Sequence, residues 1–254
     1  MKANRHNRIW AVLSTTVLLM GVEAAYAKST IEGTWLLNSS QTLLKPADGS
    51  AVAFTDAGRK IYEQNRTAAQ SGDFAFDATM TKCSSPGIPR LMLSPKRFKI
   101  FERSGKVLFM FEWNRLFRQI DMRDDATIEN SQALDGTHNM AFDLYGLEET
   151  VGAQVGHARG RWEGSTLVAQ TDHFVDYKMF DGLIQTSDEL KLIERFRLKD
   201  RNTLEYRVTI TDPVTFTQSW EAVLTYKRQP DAPFPEEICM ERQRAGESPW
   251  PKPL

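Results

Sequence analysis

Alternating apolar and polar positions run through the last third of the chain. In DELKLIERFRLKD, Leu190, Leu192, Glu194, Phe196 and Leu198 share one face; in TLEYRVTI, Leu204, Tyr206, Val208 and Ile210 do. In QSWEAVLTYKR the shared positions are Trp220, Ala222, Leu224 and Tyr226. Polar residues at Asp200 to Asn202 and a break at Asp212-Pro213 separate the three runs. A period of two sustained over such lengths predicts antiparallel strands with one buried face. Upstream, RFKIFER turns at Ser104-Gly105 into KVLFMFEW, and Asn114 leads into RLFRQIDM. STIEGTWLLN, MAFDLYGLEE, VGHARGRWE and TLVAQTDHF read as further strands, the last two joined through Gly164-Ser165. One segment breaks the rhythm: FTDAGRKIYEQNRTAAQ contains no proline and has Thr55 or Asp56 as N-cap, which predicts a helix near 55–69. Residues 71–95 read as irregular, and 229–254 as a proline-rich tail. The pattern predicts a mainly β protein: an antiparallel up-and-down barrel of about nine or ten strands with one short helix. Closure would remove the exposed edges that a long meander otherwise presents.

The N-terminus is of another kind. Lys2, Arg5 and Arg8 precede an apolar run from Ile9 to Val22, and Ala25-Tyr26-Ala27 places small residues around a cut after Ala27. A run of 14 residues is short of the ~20 that span a bilayer, so residues 1–27 read as a cleaved signal peptide. No later stretch is apolar enough to cross a membrane as a helix. The rest, 28–254, is expected to form a single domain in the periplasm or outside the cell. Its 29 basic and 32 acidic residues give a net charge of −3, which offers no electrostatic reason to expect nucleic acid as a partner. The two cysteines, Cys83 and Cys239, both fall in this part. An even pair in an oxidising compartment predicts a disulfide; two separate buried thiols are the alternative.

GIPRLMLSP, VGHARGRWEGSTLV and LIERFRLKDRNTLEYRVTITDP followed by Trp220 together resemble a poorly characterised family of exported bacterial proteins. Gly33-Thr34-Trp35 is in addition similar to the opening of lipocalins and other calycins. The resemblance covers most of 80–228 and implies a calycin-like barrel outside the cytoplasm. It brings no established catalytic residues. The chain also departs from the family pattern, in which serine often stands at Ala158 and histidine at Thr186, and this weakens any transfer of activity.

The residues exclude several chemistries. There is no Gly-x-Ser-x-Gly elbow, no phosphate-cradling glycine loop and no His-Glu-x-x-His helix. Beyond His6, the histidines are His138, His157 and His173, with no pair on alternate strand positions, so neither a metal site nor a cofactor is expected. Glu194 is the most informative carboxylate, because it lies on an apolar face between Leu192 and Phe196 and must there be paired or neutral. Arg118, between Leu116 and Ile120, also shares a face with apolar neighbours and is the expected partner across the barrel. His173 shares a face with Leu167, Ala169 and Thr171 and is expected to point inward, whereas Trp162 packs and His157 faces water.

A small apolar or aromatic ligand is therefore the expected partner, carried or sequestered in the barrel. Arg118, His173 and Glu194 would orient its polar group, and Tyr206, Trp220 and Tyr226 would line the wall. The alternative is a cofactor-independent lyase, isomerase or hydrolase with Glu194 or His173 as acid or base. A third class is a structural module that binds a partner through its outer face, helix or tail.

Overall fold

A computed structural model describes residues 30–124, 155–174 and 178–252. The expected signal peptide, His138 and the predicted strand at 140–149 lie outside the described residues. Strands run over Gly33–Leu37 (β1), Phe98–Arg103 (β2), Lys106–Phe111 (β3), Phe117–Asp121 (β4), His157–Glu163 (β5) and Thr166–Asp172 (β6). A small pair follows, Lys178–Met179 (β7) with Gln185–Thr186 (β8), and then Lys191–Asp200 (β9), Thr203–Thr211 (β10) and Trp220–Arg228 (β11). Nine of them close into a barrel in the order β1-β11-β10-β9-β6-β5-β4-β3-β2.

The barrel is mixed, and this corrects the expectation of a wholly antiparallel one. Strand β4 pairs β5 in parallel, Ile120 opposite Ala158 and Asp121 opposite Arg159. Two parallel neighbours need a crossover connection, and the chain between Asp121 and His157 is long enough to supply it. Every other barrel pairing is antiparallel. Wall closeness at the parallel seam explains Gly160 in the GRWEG stretch: a Cβ there would lie 2.5 Å from Ile120 Cγ2 and 2.9 Å from Met122 Sδ.

The alternating residues of the last three strands do point inward: Leu192, Glu194, Phe196, Leu204, Tyr206, Val208, Ile210, Ala222 and Leu224 are all at most 2 % exposed. Rings from several strands meet inside the barrel. Phe98 meets Tyr226 edge-on at 4.9 Å, Phe109 meets Phe196 at 5.0 Å, and Phe196 meets Tyr206 at 4.9 Å. Such aromatic contacts add about 0.5–1.5 kcal/mol each beyond the area they bury.

Both ends are covered. The predicted helix is α1, Asp56–Gln70, with the Thr55 side chain accepting from Gly58 N–H. It docks over the β7/β8 hairpin, where Asn65 Nδ2 donates to the Leu183 carbonyl, above a cluster of Phe54, Phe180, Phe216 and Trp220. At the other end Arg228 lies 4.2 Å over the Trp35 ring and donates to the carbonyls of Glu32 and Arg201.

More helix is present than the single predicted one. The segment read as irregular holds α2, Ala78–Lys82, and a 3-10 turn at Arg90–Leu93, and the tail holds α3, Cys239–Arg244. None is long enough to stand on periodicity alone. Tertiary bonds hold them: Asp77 caps α2 and takes both Arg90 Nη groups at 2.6 and 2.9 Å, and the Cys83–Cys239 disulfide ties α3 to the end of α2. No described helix is long and apolar enough to cross a membrane.

Candidate functional site

Four strands bring one polar cluster to the middle of the barrel. Arg118 comes from β4, Thr171 from β6, Glu194 from β9 and Tyr206 from β10. Their inward direction follows from register: Glu194 stands opposite Ala169 on one side and Val208 on the other, and Arg118 stands opposite Phe109. Arg118 Nη1 donates to Glu194 Oε1 at 3.0 Å, and Nη2 donates to Oε2 and to Thr171 Oγ1. Thr171 donates to Oε2 at 2.5 Å and Tyr206 to Oε1 at 2.9 Å. Each carboxylate oxygen thus accepts two hydrogen bonds, and both charged side chains are fully buried.

Glu194 therefore has its hydrogen-bonding capacity met from within. Arg118 does not: its Nε–H is buried and has no hydrogen-bond partner among the described residues. Its guanidinium also sits 5.8 Å from the centre of the Phe109 ring. An orphan donor on a buried cation is costly in a low-dielectric interior and calls for a partner.

Burial, then the charge of Glu194, pushes the Tyr206 phenol well above its ordinary range, with Arg118 pulling the other way. Burial followed by Glu194 does the same at Tyr226. Because both folded-state values exceed the unfolded value of about 10, the native protein holds protons that the unfolded chain loses above that pH. Stability is expected to be retained below about pH 10 and to fall above it by about 1.4 kcal/mol per pH unit for each tyrosine. Urea unfolding from about pH 9 to about pH 11.5 checks this; Tyr206→Phe and Tyr226→Phe should each flatten the fall.

Three residues expected around the ligand make no hydrogen bond to the Glu194 network. His173 does not point inward. Strand β6 ends at Asp172, and His173 takes a left-handed backbone (φ 56°) that turns its side chain out, 55 % exposed. Its Nδ1 lies 2.7 Å from Asp172 Oδ1, and Arg159 Nη2 lies 3.1 Å from Asp172 Oδ2. A carboxylate partner requires the proton on Nδ1, which leaves Nε2 as the basic nitrogen. His157 stands across from it, ring centroids 6.1 Å apart. Tyr226 is in the barrel, but its hydroxyl donates to the Met92 carbonyl at 2.7 Å, at the end away from α1. Trp220 belongs to the aromatic cluster under α1 and not to the Glu194 network.

Spacing places Thr171 on the inner face but does not show the network that it completes. The Arg90–Asp77 pair, also fully buried, had a visible signal: Arg90 is the one charge in an apolar stretch, GIPRLML. Among the described residues no group of three acidic, histidine or cysteine side chains is placed to hold a metal ion. No family model matches the chain, and no curated protein matches it.

Proposed function

We propose that this barrel binds a small, largely apolar or aromatic molecule and carries or sequesters it in an oxidising compartment outside the cytoplasm. The observation that carries the reading is the unpartnered, fully buried Arg118 Nε–H at the barrel centre. A ligand acceptor, such as a carbonyl, carboxylate or sulfonate oxygen, would satisfy it. Glu194, Thr171 and Tyr206 hold the guanidinium in a fixed plane, so the donor direction is set before binding. Phe109, Phe196 and Tyr206 supply an aromatic wall beside it. A closed barrel of this strand number suits one small ligand, and apolar walls with few polar anchors are the usual character of such sites. The Cys83–Cys239 bond and the N-terminal sequence support the compartment.

Anilinonaphthalene sulfonate, an aromatic body with one anionic acceptor, is a suitable probe. Saturable, one-to-one binding by the native protein is expected, with loss in an Arg118→Met/Glu194→Leu double variant that remains folded. Absence of saturable binding, or equal binding by the variant, would contradict the reading.

A second reading has its own observation. The Asp172–His173 pair holds an exposed imidazole in one tautomer on a strained backbone, an arrangement suited to proton transfer. On that reading the protein is a cofactor-independent lyase, isomerase or hydrolase with His173 as base. Glu194 would then have no part in the chemistry, and His173→Gln would abolish turnover while leaving binding intact.

A further inference from the structure

The outer face of β9 and β10 carries a charge arrangement that the barrel centre does not use. Arg195 stands directly opposite Arg207 across the β9/β10 pairing, and its neighbour on the other side is Val168. Like charges placed directly across a sheet repel, so this pair costs stability unless an anion lies between them. Among the described residues the neighbouring carboxylates are already engaged. Glu205 is bound by Arg197 at 3.1 Å and Lys199 at 3.8 Å; Glu221 is bound by Arg207 at 3.0 Å and by the Thr209 hydroxyl at 3.1 Å. Glu163 is paired with Arg161.

Arg195 itself makes no hydrogen bond or ion pair among the described residues, though it is only partly exposed. It lines a cleft of about 340 Å³ with Arg197, Arg207, Glu205, Glu163 and Thr166. With the ion-pair partners of these lining residues included (Arg161, Lys199 and Glu221), five cations stand with three carboxylates, an excess of two positive charges. The protein as a whole has a formal charge of −1, so this excess is local and offers little long-range attraction for a polyanion.

We propose that this cleft binds a phosphomonoester group between the guanidinium forks of Arg195 and Arg207. Such a group carries close to two negative charges at neutral pH and matches the local excess. Its tetrahedral oxygens accept from two planar forks at once, which a single carboxylate does less well. The same group occurs on small soluble metabolites and on phosphatidic acid, and the two sources call for different experiments.

The first test is thermal unfolding of the whole disulfide-bonded protein in inorganic phosphate against sodium chloride at equal ionic strength. Phosphate should raise Tm in a concentration-dependent way for the native protein and for an Arg66→Gln control on α1. It should not do so for Arg195→Gln, whose phosphate affinity should fall about tenfold or more. In chloride alone Arg195→Gln should melt at or above the native Tm, because it removes a repelling pair; this separates lost binding from lost folding. An equal phosphate effect in Arg195→Gln, or none beyond chloride in the native protein, would overturn the proposal. Flotation with vesicles containing phosphatidic acid then names the source. Flotation that depends on Arg195 assigns a lipid headgroup, and a phosphate shift without flotation assigns a soluble phosphomonoester. Flotation equal in both proteins, with no Arg195-dependent phosphate shift, would count against the site altogether.

Discussion

Replacing Glu194 by leucine while keeping Arg118 is expected to destabilise the protein by about 3–5 kcal/mol, because it leaves a buried guanidinium without a counter-charge. For a domain of this size that corresponds to a fall in Tm of roughly 6–20 °C. The Arg118→Met/Glu194→Leu double variant is expected to recover part of the loss. No buried charge remains in it, and apolar replacements of similar volume often equal a buried ion pair in stability. The hydroxyls of Thr171 and Tyr206, which now donate to Glu194, would account for what is not recovered. Thermal unfolding of native, single and double variants forms a cycle whose coupling term reports the pair directly. A coupling energy near zero would mean that water reaches the cluster and that the network is not the closed unit described above.

Reducing the disulfide is expected to have an effect of similar size. The bond joins residues 156 positions apart, and closing so long a loop stabilises the folded state by about 5 kcal/mol in the chain-entropy model. Cys83→Ser/Cys239→Ser should therefore lower Tm by roughly 10–20 °C. The loss has a local address. Cys239 begins α3, its N–H donates to Asn114 Oδ1, and the chain beyond packs Trp250 against Trp113 and Arg90. Hydrogen exchange on the double variant should accordingly rise first in the tail and around Trp113, while β9 and β10 keep their protection. Uniform loss across the barrel would show that the bond stabilises the whole and does not merely fasten the tail.

Much of the barrel centre was legible because period-two alternation is a direct consequence of strand geometry. Glu194 and Arg118 each interrupt an apolar face, and in both cases the alternation continues on either side, so the side chain had nowhere to go but inward. His173 misled for the same reason in reverse. It follows Leu167, Ala169 and Thr171 at the expected spacing, but the strand stops one residue earlier, and the left-handed turn at His173 takes its ring outside. A strand end cannot be read from spacing alone. The direction of β5 was equally hidden, since whether a strand runs parallel or antiparallel to its neighbour is decided by the connection and not by its own residues. The short helices α2 and α3 depend on Asp77, Arg90 and the disulfide, contacts made across the fold. The Arg195–Arg207 pair needed register, which no single strand reveals.

The most direct test of the barrel as a ligand carrier is native mass spectrometry of the protein purified from the cells that make it, followed by denaturing extraction. A stoichiometric added mass that survives gentle ionisation and is released on denaturation as a small apolar or aromatic molecule is the predicted result. The bare mass of the disulfide-bonded chain, together with an extract free of any co-purifying molecule and no uptake of anilinonaphthalene sulfonate, would contradict it.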